Sequence, residues 1–310
     1  MNSPGRLLLS LFPTIMPTYM TNKVKTHVYG LLAAFFLSCA FPLTRIALEC
    51  FSPNVFGAMR CTLASIVLLG SGKFTGLRRP FKLSHLPLFV LSGAFGFGVY
   101  LVFFNLGLKS VTAATASIII STTPIMTAFA ASFFYGEKLS KIGVLSIIGA
   151  FAGVLIILLW KGIFSINTGA LWMLAAAVFF CAYNILNKQF IKMGYTSIDV
   201  VTYSIFSGAL MLSFLLPKAY RELQSAELKH IAVFVYLSIF TTAGGYFLLG
   251  KGLQVAEKTS DVTNYMFVIP LMASILGYLL LGETLTAGTA IGGTLIALSI
   301  IIFAFKGKPA

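Results

Sequence analysis

The sequence predicts an all-α integral membrane protein with ten transmembrane helices, and three observations lead to this fold class. Hydrophobic residues make up 58% of the 310 residues and charged residues only 10%, whereas soluble domains carry about a quarter charged residues. The apolar residues form ten runs, each near the ~20 residues that a helix needs to cross a bilayer. The second half of the chain also repeats the pattern of the first. Lipid is therefore expected to cover most of the surface.

The composition also argues against several other classes of protein. The net charge of +14 could indicate nucleic-acid binding, but the basic residues are scattered singly between apolar runs and form no basic stripe. The four cysteines are not at metal-ligand spacing, so neither a metal site nor a disulfide framework is expected. No hydrolase or metalloprotease motif occurs. We expect no nucleic-acid partner, no cofactor and no enzymatic activity.

The ten apolar runs give approximate boundaries for the spans. They cover residues 27–47, 55–70, 86–106, 113–135, 142–160, 169–188, 198–217, 231–250, 259–281 and 287–305. Residues 1–26 are predicted to be a cytoplasmic segment, in which Met20 could be the true start of the protein, and residues 306–310 a cytoplasmic tail. Most connections are shorter than ten residues, which leaves no room for a soluble domain.

The distribution of basic residues predicts the orientation in the membrane. With a cytoplasmic N-terminus, fifteen of the 22 Lys and Arg residues lie inside and six outside, while Arg60 lies within a span. Cytoplasmic loops carry such an excess of positive charge. Since ten is an even number, both termini are predicted to be cytoplasmic. The outer segment 218–230 is basic as well, although Glu222 and Glu227 dilute its charge.

An internal repeat relates residues 107–160 to residues 252–305. Each contains a hydroxyl-rich helix start, a proline, the pattern Gly-Glu-x-Leu-Ser/Thr with its glutamate thirteen residues after the proline, and a Gly-rich apolar helix. Each half of the chain holds five spans, so the halves must cross the membrane in opposite directions. Inverted repeats are typical of secondary transporters, because two similar halves can rock around one central site.

This paired pattern resembles the EamA-like family of the drug/metabolite transporter superfamily over about residues 27–305, and Ser52-Pro53 before a helix with Arg60 adds to the likeness. The resemblance implies two five-helix repeats, 27–160 and 167–305, and export or exchange of amino acids or related metabolites. Ser146 departs from the family, which usually has glycine there. The expected location is the cell (inner) membrane, with the lipid bilayer and a small polar organic substrate as partners.

Polar side chains within the spans are the candidate substrate-binding residues, because polar groups that face lipid are costly. They are Asn105, Thr115, Ser121, Thr122, Tyr183, Asn184, Asn187, Thr242, Tyr246, Asn264 and Tyr265. Amides and phenols can bind a zwitterion, although such hydroxyls can also simply pack helices together. Tyr100 and its neighbouring phenylalanines could form an aromatic wall, but lipid exposure is the better expectation for them.

Two prolines and one arginine are further candidates. Pro124 and Pro270 should bend spans four and nine, either to line the substrate path or as packing kinks. Arg60, inside span two, could anchor the helix by snorkelling, pair with Glu49, or attract a substrate carboxylate.

The eight acidic residues lie in loops or near span ends, and none is central. A pump that exchanges protons for cationic drugs usually has a deep acid, so the sequence favours neutral, zwitterionic or anionic cargo. Asp261 is the best remaining titratable candidate, while Glu137 and Glu283 fit helix-end capping better than transport chemistry.

Several alternatives remain open. Within transporters these are uptake or exchange of a larger metabolite such as S-adenosylmethionine, and drug efflux. An intramembrane enzyme or a non-transporting sensor would not need inverted halves. The motifs Gly149-x-x-x-Gly153 and Gly288-x-x-x-Gly292 could pack within the bundle or join a homodimer, so the protein is expected to be a monomer or a homodimer.

Overall fold

The computed structural model describes residues 21–70, 82–136, 138–160, 167–256, 262 and 264–306, and within these ranges the chain is helical and has no strand. Nine helical segments of these ranges are long and apolar enough to cross a membrane, and a bent pair of helices brings the number to ten. The predicted all-α fold with about ten spans is therefore confirmed.

The spans are numbered 1 to 10 in chain order. They are Asn22–Ala47, Pro53–Gly70, Leu83–Leu108, Ala113–Tyr135, Lys141–Leu159, Thr168–Lys192, the pair Ser197–Met211 and Ser213–Gln224, Leu228–Val255, Asn264–Leu281 and Ala287–Lys306. Two ends are left out of the comparison with the predicted boundaries: the end of span 7, and the start of span 9, which lies beside residues that the structure does not describe. Every other span end lies within five residues of its predicted position.

Span 7 corrects one predicted boundary. A single helix was expected over 198–217, but the helix Ser197–Met211 ends early and the chain turns by 50° into Ser213–Gln224. Pro217 stands in the first turn of the second helix, Leu216–Gln224, where its missing N–H costs no hydrogen bond. The basic segment that was expected to be a loop therefore begins as an amphipathic helix.

Polar caps and glycines determine where many helices begin and end. Thr21, Thr112, Ser140, Asn167 and Thr196 each accept a hydrogen bond from a backbone N–H in the first turn, which satisfies donors that the helix leaves free. Spans 4 and 9 both end at the glycine of the repeated Gly-Glu motif. Gly136 and Gly282 have φ of 66° and 63°, a left-handed conformation that glycine adopts without strain.

Spans 5 and 10 pack against each other through their small-residue motifs. A Cβ atom on Gly153 would lie 2.6 Å from the carbonyl oxygen of Gly292, and a Cβ on Gly292 would lie 2.6 Å from that of Gly153. The two backbones are thus in direct contact. The glycine motifs serve packing within the bundle, which is one of the two predicted uses.

We expect Gly153→Ala to destabilise the protein, because the obstructing atom belongs to the backbone and cannot rotate away. Gly70→Ala is the matched control, since no atom of the described residues lies within 4 Å of a Cβ at that position. Gly70 is the last described residue of its helix, where the preference for alanine over glycine is weaker than the ~1 kcal/mol of a helix interior, so the control should be nearly neutral. Thermal unfolding in detergent compares the two, and equal midpoints would contradict the close contact.

Spans 3 and 8 each contain a π-helical segment, which the sequence analysis missed. These segments are Ala94–Gly98 and Leu237–Gly245. Both contain glycines in the interior of a long helix, a signal that could have indicated them. Such segments interrupt the regular hydrogen-bond ladder and are frequent at functional sites. Both pack against span 2, which carries Arg60.

Candidate substrate site

The candidate site is built around Arg60, near the middle of span 2. It follows Pro53 by seven residues in a helix of 18, about 10 Å along the axis at ~1.5 Å per residue. The side chain is only 4% exposed, so it does not snorkel to the membrane surface. The structure also removes the possible pair with Glu49, which faces Lys229 at 3.6 Å instead.

Two threonines from other spans hold the Arg60 guanidinium. Nη1 donates to Thr44 Oγ1 at 3.2 Å and Nη2 donates to Thr242 Oγ1 at 3.0 Å. The guanidinium carbon lies 5.9 Å from the centre of the Phe56 ring. The Nε atom has no hydrogen-bond partner, and no carboxylate in the described ranges pairs with the group. A buried cation therefore keeps unused hydrogen-bonding capacity.

Thr242 is oriented by the π-helical segment of span 8. Its Oγ1 donates to the carbonyl of Leu237, five residues earlier, at 2.9 Å, while it accepts from Arg60. At the next position of span 2, Cys61 Sγ donates to the carbonyl of Phe97 at 3.8 Å, within the π-helical segment of span 3. Consecutive residues of span 2 thus contact the π-helical segments of both halves.

An aromatic shell adjoins the guanidinium. It consists of Phe97, Tyr100, Phe180, Tyr183 and Tyr246. The phenols of Tyr100 and Tyr246 lie within electrostatic range of Arg60. Ring centres are 4.9 Å apart for Tyr100 and Phe180, and 5.4 Å apart for Phe180 and Tyr183. Phe97 lies 5.5 Å from both Tyr183 and Tyr246, so the shell is continuous.

The cluster brings together some of the predicted residues and adds others. Tyr183, Thr242 and Tyr246 lie in it beside Arg60. Tyr100, for which lipid exposure was expected, is 8% exposed and belongs to the shell. Thr44 was missed, although a threonine within an apolar span was a signal of the same kind as those that were used.

Two other predicted residues hold helices together. Asn105 donates from Nδ2 to the carbonyl of Pro53 at 2.7 Å, which joins span 3 to the start of span 2. Thr115 Oγ1 lies 2.8 Å from Thr289 Oγ1, which joins span 4 to span 10. Both side chains are buried. These contacts are the packing role that was the alternative to substrate binding.

Span 4 is interrupted just before Pro124. The helix Ala113–Ile120 ends and Thr123–Tyr135 begins, with Pro124 in the first turn of the second helix. A proline leaves the carbonyl four residues earlier without its backbone donor. Here Thr123 Oγ1 donates to that carbonyl, of Ile120, at 2.6 Å. Ser121 and Thr122 likewise donate to carbonyls three residues earlier, so these hydroxyls support the break.

The remaining candidates lie apart from Arg60. Asn184 donates to Thr127 Oγ1 at 3.3 Å, and the buried Oδ1 of Asn187 has no hydrogen-bond partner among the described residues. Tyr265 OH lies 3.1 Å from His27 Nδ1, whereas Asn264 is exposed.

Pro270 stands where a 3₁₀ turn, Asn264–Val268, passes into the α-helix Ile269–Leu281. Asp261 and Glu137 lie outside the described residues.

One end of the bundle is closed by polar contacts between the two halves; it is called the Glu283 end. Glu283 Oε1 lies 2.8 Å from Arg45 Nε, and Oε2 accepts from the backbone N–H of Ala113 at 2.7 Å. Nearby, the N–H and Oγ of Ser52 donate to Glu222 at 2.9 and 2.6 Å. Glu283 therefore caps a helix, as predicted, but the helix belongs to the other half.

The opposite end, called the Tyr135 end, is joined by aromatic and histidine contacts. Tyr135 OH donates to the carbonyl of Ile185 at 3.0 Å. The ammonium groups of Lys188 and Lys192 lie 4.8 and 4.4 Å from the centre of the Tyr135 ring. His85 Nδ1 lies 2.8 Å from Tyr195 OH. Contacts between the halves thus exist on both sides of the Arg60 cluster.

Comparison with protein families gives two matches in this chain. The model of the EamA-like transporter family matches residues 24–159 and again residues 167–305, so one family pattern covers each half.

Relatives of known sequence agree with this match. An "Uncharacterized transporter YdfC" of Bacillus subtilis is 31% identical over 82% of each chain. A "Probable terminal-alkyne amino-acid exporter" of Streptantibioticus cattleyicolor is 30% identical over 88% of this chain and 91% of that protein. A crystal structure with 17% identity and a TM-score of 0.60 covers 91% of this chain and 98% of its own; at this identity it supports the fold alone.

Proposed function

Because the chain belongs to the EamA-like transporter family, we propose that this membrane transporter is a secondary carrier of small polar metabolites that bear a carboxylate, such as amino acids. It works by alternating access and acts as an exporter or exchanger in the cell membrane. The observation that carries the proposal is the buried Arg60, which has a free Nε and no acidic partner in the described part of the chain.

The energetic argument starts from the cost of this arginine. A charged residue at the centre of a span costs ~2.5–3.5 kcal/mol on insertion scales, and such residues usually mark a substrate or ion pathway. A guanidinium stays protonated and can bind a carboxylate through two parallel hydrogen bonds. A carboxylated substrate would neutralise Arg60 and satisfy its free donor, whereas a cationic drug or a net-cationic metabolite would be repelled.

Alternating access is supported by the arrangement of contacts around Arg60. Its ligands Thr44 and Thr242 come from different halves, so relative motion of the halves would change the site. The bundle has polar contacts between the halves at both ends, which could break in turn. We propose that the two halves are inverted repeats, as five spans per half require, and that both termini are cytoplasmic.

Transport by purified protein in proteoliposomes tests the proposed function. Vesicles are loaded with an unlabelled carboxylate metabolite, and entry of radiolabelled amino acids and nucleoside-linked metabolites is measured. Saturable uptake that internal cargo accelerates is expected for at least one carboxylated compound. Arg60→Met should reduce this uptake at least tenfold, whereas Arg221→Met, on the exposed face of the Leu216–Gln224 helix, should not. Carboxylate transport unaffected by Arg60→Met would refute the proposed site.

Cys50 offers a test of the proposed orientation, because it lies between spans 1 and 2 and is partly exposed, whereas the other three cysteines are buried. We expect a membrane-impermeant maleimide to label Cys50 in intact cells, and Cys50→Ser to abolish labelling. Burial raises the pKa of this thiol, and the charges of Glu222 and Glu227 raise it further. Because the thiolate reacts, labelling should speed up ~10-fold per pH unit below the pKa. Labelling only after permeabilisation would mean the reverse orientation.

A further inference from the structure

We infer that the Arg60 site selects a monoanionic carboxylic acid without an ammonium group over the zwitterionic amino acid of the same shape. The inference rests on the proposed function and names the charge class of its substrate. The inference is carried by the charge balance around Arg60. This residue is a buried cation, and none of the described acidic residues is available to neutralise a second positive charge such as a substrate ammonium.

The acids of the described ranges are all occupied elsewhere. They are Glu49, Asp199, Glu222, Glu227 and Glu283. The four glutamates have basic partners at the Glu283 end, and Asp199 closes a capping box with Thr196 at the start of span 7. An ammonium bound next to Arg60 would therefore meet no carboxylate among them.

The guanidinium adds to this charge balance, because it can only donate hydrogen bonds. Arg60 Nε is buried and has no hydrogen-bond partner among the described residues, so it can donate to a carboxylate oxygen but cannot accept from an ammonium. The hydroxyl oxygens of Thr44 and Thr242 already accept from Arg60. The hydroxyls of Tyr183 and Thr241, which are also buried without a partner in the described part of the chain, can donate or accept and do not distinguish the two groups.

Electrostatics gives the expected size of the preference. In an α-amino acid the ammonium stands directly beside the carboxylate, so it comes close to the guanidinium that binds the carboxylate. Repulsion between two like charges ~5 Å apart, in an effective dielectric of ~20, weakens the binding of the zwitterion on the order of a hundredfold. Attraction of the ammonium to the aromatic faces offsets part of this. A preference of about tenfold or more for the monoanion remains.

The test uses compounds with one phenyl ring, which suits the aromatic shell, and different charges. N-acetylphenylalanine and phenylpyruvate are monoanions, phenylalanine is a zwitterion and phenethylamine is a cation. Each competes with a radiolabelled monoanion for uptake into proteoliposomes that contain the full chain. We expect the monoanions to inhibit at concentrations at least tenfold lower than phenylalanine does, and phenethylamine not to inhibit.

Variants of Arg60 connect the preference to the site. Arg60→Lys retains the charge and should keep the order of the compounds at lower affinity, whereas Arg60→Met should abolish the preference and Arg221→Met should leave it unchanged. If Arg60→Met does not fold, Arg60→Lys and the competition series in the unaltered protein decide. Phenylalanine that competes as well as N-acetylphenylalanine, in an Arg60-dependent way, would overturn the inference and leave the proposed function standing. No transport of any carboxylate would overturn both.

Discussion

Replacing Glu283 with glutamine is expected to lower the thermal midpoint by roughly 5 °C and to loosen the Glu283 end. The carboxylate is 9% exposed, and it contacts Arg45 and the N–H of Ala113 at the same time. The hydrogen bond from the Ala113 N–H to this charged group contributes ~1.5–3 kcal/mol, whereas the ion pair with Arg45, which is 30% exposed, adds little because water would replace part of the loss. A net cost of about 2 kcal/mol corresponds to roughly 5 °C at ~2–4 °C per kcal/mol.

The loosened end should also change the balance of states. Since Glu283 joins the two halves, a cost of ~2 kcal/mol to the closed arrangement shifts the population towards opening at this end by roughly 30-fold. Maleimide labelling of Cys50, which lies at the same end, should become faster in Glu283→Gln. The rate of Cys50 labelling is measured at fixed pH in detergent, on the same samples as the thermal midpoint.

Glu227→Gln is the matched control for the thermal midpoint, because Glu227 is 70% exposed and, among the described residues, forms its ion pair with the exposed Lys229 at 3.5 Å. Exposed ion pairs contribute ~0–1 kcal/mol, so its midpoint should stay near that of the unaltered protein. A double-mutant cycle with Arg45→Met measures the Arg45–Glu283 coupling. Equal midpoints for Glu283→Gln and Glu227→Gln would show that the contact does not hold the two halves together.

Thr242→Val should reduce the ratio of maximal uptake rate to KM about tenfold to a hundredfold. Valine has nearly the shape of threonine but lacks the hydroxyl that accepts from Arg60 Nη2 at 3.0 Å. Loss of a hydrogen bond to a buried charged group costs ~1.5–3 kcal/mol, and the guanidinium would no longer be held in one orientation. Radiolabelled uptake into proteoliposomes measures the change.

Two further variants separate orientation of Arg60 from general damage to the fold. Thr242→Ser keeps the hydroxyl and should recover most of the transport. Thr294→Val removes a hydroxyl that donates only within its own helix, to the carbonyl of Ala290, and should transport normally. Uptake by Thr242→Val at the unaltered rate would mean that Thr242 does not position Arg60.

Much of the fold could be predicted because a bilayer imposes simple rules on sequence. A span needs a certain length of apolar helix, so the apolar runs predicted most span ends to within five residues. The repeated Gly-Glu motif was visible, and its glycines proved to be left-handed helix ends. The predicted end of span 7 was wrong because the apolar run continues through residues 212–217, whereas the chain turns there into an amphipathic helix.

The site was only partly predictable for a different reason. Polarity within a span selected Arg60, Tyr183, Thr242 and Tyr246, which the structure brings together, and also Asn105 and Thr115, which join neighbouring helices. Polarity does not reveal the direction in which a side chain points. That direction depends on helix rotation, and the π-helical segments, marked in the sequence only by interior glycines, change the rotation locally.

By itself, then, the sequence determined that this is an all-helical membrane protein built from two related halves, because composition, helix length and repeated motifs are properties of consecutive residues. Tertiary structure alone decided that Arg60 meets Thr242, 182 residues away, that Glu283 caps a helix of the other half, and that glycines of spans 5 and 10 touch. Those contacts depend on how separate helices rotate and pack, which no local pattern specifies.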